Sequence, residues 1–273
     1  MAFTTGNKMK IIDVHAHAYP DGLAAKAMAG LCKANPTATP STDGTIRGLL
    51  SEMDCGGIAQ SWILPIATKP HHAGSILKWI CSFRSERLLP FGSVHPESDN
   101  FVQELDDFKQ AGIKGIKLHP MYQDFAADDK KAYPLYEEIS SLGFVVTFHA
   151  GWDVGFPQSR NASAGKFSKV LQDFPKMKVI LAHCGGWRRE HDTLKWLCGK
   201  NVWFDTSFIE EIPSEERKKL FNAHGTDKFL FGTDCPWAFS GKCVRFIQDI
   251  PEISDEDKEK IFFRNAETLI NWN

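Results

Sequence analysis

The chain has 273 residues, and 32 Lys and Arg against 34 Asp and Glu give a formal net charge of −2 with neutral histidine. This balance, without a long basic run, argues against nucleic acid or an anionic membrane surface as a partner. No apolar stretch approaches the roughly 20 residues of a membrane-spanning helix. With 42% hydrophobic and 24% charged residues, the composition is typical of a globular protein.

The N-terminal segment MAFTTGNKMKIIDVHAH lacks the apolar stretch of a signal peptide, which predicts a cytoplasmic protein. The seven cysteines are an odd number, and no two stand at C-x-x-C spacing. A thiolate zinc site or an iron–sulfur cluster is therefore not expected. The expected partner is a small-molecule substrate, and a homodimer is left open.

Short β-branched runs alternate with longer amphipathic stretches along the chain. The predicted strands are 10–15, 61–66, 88–94, 115–119, 144–149, 178–183, 202–205 and 229–233. Helical patterns lie between them, for example at 101–110 and at 131–142, each followed by glycine. Eight such units without a linker predict an α/β fold of the (β/α)8 TIM-barrel type, one domain over residues 1–273. An open doubly wound sheet would instead show a glycine-rich turn after the first strand.

Histidines concentrate where the predicted strands end. Three-residue windows at eight strand ends would hold about one histidine at the chain's frequency of ten in 273, yet they hold six. These are His15, His17, His95, His119, His149 and His183, and Asp234 follows the last strand. Because barrel enzymes place their chemistry at the carboxyl ends of the strands, this excess predicts an active site there.

The first strand ends in His15-Ala16-His17. Alternate residues of a strand point to the same side, so both imidazoles should face the barrel mouth. Two neutral imidazoles at this spacing can chelate one divalent ion. With His149, His183 and Asp234 at other strand ends, a metal site is the favoured interpretation over a pair of surface histidines.

Four motifs in order carry a family resemblance: Asp13-Val14-His15-Ala16-His17, Phe148-His149-Ala150-Gly151, Leu181-Ala182-His183-Cys184-Gly185-Gly186 and Phe231-Gly232-Thr233-Asp234-Cys235-Pro236. They resemble the metal-dependent amidohydrolase superfamily. The nearest likeness is to the branch that holds aminocarboxymuconate-semialdehyde decarboxylase, related aromatic-acid decarboxylases and lactonases. The resemblance covers essentially the whole chain.

The resemblance implies one divalent ion per chain, held by His15, His17, His149 and Asp234. It implies that His183 lies beside the ion without binding it. Such an ion lowers the pKa of bound water and makes hydroxide available. Asp234 is then the expected proton acceptor, and His183 the group that polarises a carbonyl or holds the developing anion.

Lys117 and His119 share one face of the fourth strand. Two-metal members of the superfamily use a carbamylated lysine on this strand to bridge two ions, which would make His183 a ligand of the second ion. The alternative is a lysine paired with an acid such as Asp13 inside the barrel. His119 is expected to contact the substrate.

Two further residues are expected at the substrate. Trp152 follows the His149 motif and is predicted to wall the pocket. Arg160, in the long loop after the fifth strand, is a candidate cation for an anionic substrate group. Arg188 and Arg189, after the sixth strand, are alternatives.

The predicted activity is metal-assisted hydrolysis of a small amide, lactone or ester. The alternative is non-oxidative decarboxylation of a small unsaturated or aromatic acid at the same metal site, since substrate chemistry depends on loops that the motifs do not include. A barrel that binds a metabolite without catalysis is a third interpretation, which the ligand set disfavours. Zinc is the expected ion, with manganese as the alternative.

Overall fold

The computed structural model describes residues 9–271. The prediction that there is no signal peptide depends on the N-terminal segment, and residues 1–8 of that segment lie outside this range. The single domain over residues 1–273 likewise stays a prediction. Within the described part of the chain, none of the helices combines the length and the apolar character needed to span a bilayer.

Eight parallel strands form the centre of the molecule. They are β1 (Ile12–Ala16), β2 (Gln60–Ile63), β3 (Leu88–Pro90), β4 (Gly115–Leu118), β5 (Val145–Phe148), β6 (Lys178–Leu181), β7 (Trp203–Asp205) and β8 (Phe229–Leu230). Strands β1 to β3 pair in order, and so do β4 to β8. The amide of Gly92 donates to the carbonyl of Gly115 at 2.8 Å and joins the two sets. The amide of Val14 donates to the carbonyl of Phe231 at 2.8 Å and closes the circle.

Helices separate the strands. They are α1 (Asp21–Ala34), α2 (Ile46–Gly56), α3 (Ala73–Phe83), α4 (Phe101–Gln110), α5 (Tyr133–Ser141), α6 (Ala164–Asp173), α7 (Glu190–Trp196), α8 (Ser214–His224), α9 (Ser240–Asp249), α10 (Asp255–Glu259) and α11 (Asn265–Asn271). The α4 bounds match the prediction because Leu105 and Phe108 bury one face and Gly112, at a φ of 70°, ends the helical path. The predicted (β/α)8 barrel is confirmed.

Six of the eight strands are shorter than predicted at their carboxyl ends, whereas β1 runs one residue further and β7 ends at residue 205 as predicted. The last strand stops at Leu230 rather than at residue 233, because the chain leaves the ladder before Asp234, whose φ is 59°. The third stops at Pro90 rather than at residue 94. Most of the functional side chains therefore lie on the turns just beyond the strands, although His15 and Lys117 lie within them.

A histidine is buried in the core away from the barrel mouth. His224, near the end of α8, stacks on Phe204 with ring centroids 4.0 Å apart. Its Nε2–H donates to the Val202 carbonyl at 3.0 Å, and its Nδ1 accepts from the Gly199 amide at 3.2 Å. Burial lowers the pKa of His224 to about 4. Protonation would destroy the acceptor at Nδ1.

We therefore expect His224 to destabilise the fold in acid. Its folded pKa of about 4 lies below the ordinary value of 6.5, so the unfolded chain binds the extra proton first. The contribution to the free energy of unfolding is complete above pH 6.5 and is lost as the pH falls towards 4, to an extent on the order of 3 kcal/mol. Chemical denaturation of metal-free protein from pH 7 to 4 should give a steeper loss in wild type than in His224→Gln. The exposed His191→Gln is the control, and equal slopes in all three would contradict the expectation.

Candidate metal centre

The polar side chains of the site lie at the carboxyl ends of four strands. His15 lies within β1 and His17 just after it, His149 follows β5, His183 lies two residues beyond β6, and Asp234 lies beyond β8. All five line one cavity of about 490 Å³. The structure thus brings together the five residues that the sequence predicts to be ligands or catalytic groups.

The tightest group contains His15, His17 and Asp234. The two Nε2 atoms are 3.1 Å apart. The Asp234 Oδ1 lies 3.2 Å from the Nε2 of His15 and 3.1 Å from that of His17. Three potential ligand atoms therefore meet at one point.

The partners of the remaining ring nitrogens determine the tautomers. The Nδ1 of His17 lies 2.8 Å from the Leu64 carbonyl, which can only accept a hydrogen bond, so Nδ1 carries the proton. The Nδ1 of His15 lies 2.8 Å from the Asp205 carboxylate and donates to it in the same way. Both Nε2 atoms consequently present a lone pair towards the Asp234 oxygen.

Three acceptors at this distance repel one another unless a cation lies among them. A neutral imidazole whose other nitrogen donates to a carboxylate or a carbonyl is the usual arrangement of a metal-binding histidine. The donor set of two imidazole nitrogens and one carboxylate oxygen suits zinc or manganese. The residues present therefore fit a divalent ion.

The side chains of His149 and His183 form a second pair in which ring nitrogens converge. The Nε2 of His149 lies 3.1 Å from the Trp152 carbonyl and carries the proton, which leaves a lone pair on Nδ1. Ser207 donates its hydroxyl hydrogen to Asp205, so its oxygen accepts from the Nδ1 of His183 at 2.7 Å. The lone pairs on His149 Nδ1 and His183 Nε2 then face each other at 3.1 Å. A cation or a proton beside them would relieve the repulsion.

Burial keeps these imidazoles neutral. It lowers the pKa of His15, His149 and His183 well below the ordinary value, and the positive charge of Lys117 lowers each further. Neutral imidazole is the form that binds metal. The site is therefore ready to bind an ion at neutral pH.

Asp205 organises two of these rings. Its Oδ2 accepts from the His15 ring, and its Oδ1 accepts from Ser207 and, at 3.0 Å, from the backbone amide of His183. Asp13 has a different role, since it accepts from the Thr233 hydroxyl at 2.7 Å and from the His15 amide at 3.0 Å. Burial raises the pKa of Asp13 to about 7 against these hydrogen bonds.

The backbone is strained where the catalytic candidates lie. His183 and Asp234 both have a φ of 59°, in the left-handed region that residues with a Cβ rarely adopt. Gly151, at a φ of 89°, is required for packing because a Cβ there would lie 2.2 Å from the Trp187 amide nitrogen. These turns aim the side chains into the cavity rather than along the strands.

Lys117 is fully buried and lines the same cavity. Burial lowers its pKa to about 8, against the opposing charges of Asp234 and Asp205. The predicted alternative of a pair with Asp13 is not seen among residues 9–271, because the Asp13 carboxylate binds Thr233 and backbone amides.

We expect one tightly bound ion per chain, because Lys117 lies within β4, deeper in the barrel than the turns that carry His149, His183 and Asp234. Metal analysis after dialysis should give one equivalent both in wild type and in Lys117→Met. Two equivalents in wild type and one in the variant would instead identify Lys117 as a bridge and His183 as a ligand.

The residues predicted to contact substrate have different positions. His119 lines the cavity, and its ring stacks on His149 with centroids 4.3 Å apart. Trp152 is not among the residues that line the cavity and packs against Trp187 instead, at 5.2 Å between ring centroids. Arg160 is exposed and donates to the carbonyl of the preceding residue. Their substrate roles stay predictions.

Sequence reasoning missed Asp153 and Tyr122, which both line the cavity. The Asp153 Oδ2 lies 3.5 Å from the Nε2 of His119 and 3.9 Å from that of His149. The signal for Asp153 was its position four residues after His149. Tyr122 packs edge-on against His119 at 4.6 Å, and no sequence pattern indicated it.

The sequence profile of the family described as Amidohydrolase matches residues 12–272. The 2-amino-3-carboxymuconate-6-semialdehyde decarboxylase of Dictyostelium discoideum is 28% identical over 227 residues, in an alignment that covers 68% of this chain and 62% of that protein. An uncharacterised TIM-barrel protein of Bordetella bronchiseptica superimposes with a TM-score of 0.77 at 20% identity, over 96% of this chain and 98% of its own. A dihydroxybenzoic acid decarboxylase of Polaromonas sp. JS666, solved with bound manganese, gives 0.71 at 16% identity, over 96% and 97%.

The match over residues 12–272 shows that the chain belongs to the amidohydrolase family. It is an enzyme with the amidohydrolase fold, and the family and the convergent ligand groups support a divalent metal ion as its cofactor. The chain spans about three fifths of the length of the Dictyostelium decarboxylase.

Proposed function

We propose that the protein is a metal-dependent, non-oxidative decarboxylase of a small unsaturated or aromatic carboxylic acid. The observation that carries the proposal is the 28% identity to the Dictyostelium decarboxylase over 227 residues, together with a family match that spans residues 12–272. The comparisons favour this alternative over the predicted hydrolysis of an amide, lactone or ester. The manganese bound in the Polaromonas structure supports manganese, as well as zinc, as a candidate ion.

In the proposed site, His15, His17, His149 and Asp234 hold the ion. When bound, the ion supplies positive charge that binds and polarises the substrate's acidic end. The ammonium group of Lys117, in the same cavity, adds to the attraction for a carboxylate. The protein thus fixes the acid end of the substrate at the bottom of the barrel mouth.

Decarboxylation breaks the carbon–carbon bond to the carboxylate, releases carbon dioxide and leaves the electron pair on the remaining carbon. That carbon must take up one proton. The Nε2 of His183 can accept a proton from the incoming substrate or from water and return it to this carbon. Because burial keeps His183 neutral, its Nε2 would hold this proton only transiently before passing it to the carbon.

His183 is accordingly expected to affect turnover more than metal retention. His183→Asn should keep most of the metal and lose roughly 10²-fold or more in kcat, the usual effect of losing an acid or base. Metal content and steady-state rates check this. Wild-type kcat in the variant would show that another group, with Asp234 first, transfers the proton.

The proposal is tested by incubating zinc- or manganese-loaded protein with a panel of hydroxybenzoic acids, unsaturated acids, lactones and amides. Carbon dioxide and released acid are measured in the same samples. We expect carbon dioxide from one or more acids and its loss after chelation of the ion. Acid release from lactones or amides without carbon dioxide would overturn the proposal in favour of hydrolysis.

A further inference from the structure

The cavity is larger and less polar than a small aromatic acid needs. Its 490 Å³ corresponds to roughly 16 water-sized groups at about 30 Å³ each, whereas a hydroxybenzoic acid has about ten non-hydrogen atoms. The additional space lies away from the ligand groups, beside helices α1 and α3, which contribute lining residues well beyond the strand ends.

The α1 and α3 side of the cavity is mainly apolar, and its polar lining residues are Ser75 on α3 and Asn35 and His72 at the helix ends. Leu23, Leu31 and Ala34 line it from α1, and their spacings of eight and three residues place them on one helix face. Ile76 and Trp79, three residues apart, line it from α3. We call these five residues the apolar channel.

The rim of the channel is open to solvent. Leu23, which lines the cavity from α1, is 57% exposed. The same cavity reaches the ligand groups at His15 and His17, so a molecule bound at the ion can extend into the channel without leaving the protein.

The charges of the cavity suit a single carboxylate. Among the lining residues in the described chain, Lys117 is the one lysine or arginine, and Asp153 and Asp234 are the acids. The positive charge of Lys117 neutralises one of the two carboxylates. A divalent ion would neutralise the other and leave the cavity with a net charge of +1. No positive group lies in the channel to pair with a second carboxylate, whose burial there would be costly.

We propose that the substrate is a monocarboxylic acid with an apolar alkyl or aryl extension, the acid end at the metal centre and the extension in the apolar channel. The inference rests on the proposed function for the position of the acid end. The inference goes beyond the proposed function by naming the class of acid, since a small polar or dicarboxylic substrate would leave the channel unfilled.

The test is a binding series with the metal-loaded protein and para-alkylbenzoates, from methyl to hexyl, measured by calorimetry. Each added methylene should tighten binding by up to roughly 4-fold until the channel is filled. An analogue that ends in a second carboxylate should lose this gain. A dissociation constant independent of chain length would overturn the proposal.

Two variants locate the effect. Leu31→Asp and Ile76→Asp should flatten the chain-length dependence, so that the dissociation constants of methylbenzoate and hexylbenzoate converge. The control is Val102→Asp, on the exposed face of α4, where the dependence should persist. A dependence that survives both channel variants would overturn the assignment of the channel. If either variant fails to fold, the milder Ile76→Ser takes its place.

The outcomes separate this inference from the proposed function. Binding does not require turnover, so a chain-length dependence without carbon dioxide from any acid would overturn only the decarboxylase proposal. Carbon dioxide from short aromatic acids with no chain-length dependence would overturn only the apolar extension.

Discussion

Replacing His15 and His17 together by alanine is expected to abolish stable metal binding. Both Nε2 lone pairs point at the Asp234 oxygen, so the double variant removes two of the three atoms of the tightest ligand group. Loss of a single supporting partner of a metal ligand typically costs 10- to 100-fold in affinity, so loss of two ligands should cost at least about 100-fold. Metal analysis after dialysis and titration of the metal-free protein measure this.

The matched control replaces two histidines on the surface, in His71→Ala/His191→Ala. It removes the same number of imidazoles and should retain the wild-type metal content. Because removing a buried imidazole also changes packing, both proteins should be compared by circular dichroism and thermal unfolding. Equal metal content in the His15/His17 double variant and in wild type would contradict the site.

The second large effect is expected in Asp234→Asn. The carboxylate can bind the ion through one oxygen and exchange a proton through the other, whereas an amide can bind only weakly and cannot accept the proton. The variant should hold metal detectably at excess ion and still lose roughly 10²-fold or more in kcat. The pH profile of kcat/KM should lose its acidic limb, which reports the group that must be deprotonated in the free enzyme.

Full rescue of Asp234→Asn by excess metal, with an unchanged pH profile, would show that Asp234 is only a ligand. The proton would then pass through His183, whose Nε2 also opens onto the cavity. Measuring both variants on the same substrate therefore shows whether proton transfer requires His183 alone or both residues.

The barrel and the position of its site could be predicted because both depend on local patterns. Alternating strand and helix signals are set by residues near one another, and motifs at strand ends converge in any parallel barrel. His15, His17 and Asp234 meet for this reason, although Asp234 is more than 200 residues away in sequence.

Contacts made by loops could not be predicted in the same way. Trp152 packs on Trp187 rather than lining the cavity, and Arg160 is in solvent, because the direction of a loop side chain depends on which neighbours pack beside it. The apolar channel is formed by residues of helices α1 and α3, and the sequence of either helix alone does not indicate it. Such surfaces arise only when the barrel brings distant elements together.

A divalent ion among them explains why the Nε2 atoms of His15 and His17 converge with the Oδ1 atom of Asp234. Anomalous diffraction from crystals of the metal-loaded protein, at the absorption edge of zinc or manganese, locates that ion directly. We predict a peak about 2.0 to 2.2 Å from the Nε2 atoms of His15 and His17 and from a carboxylate oxygen of Asp234. A metal-loaded protein whose only anomalous peak lies away from these three side chains would contradict a metal site there.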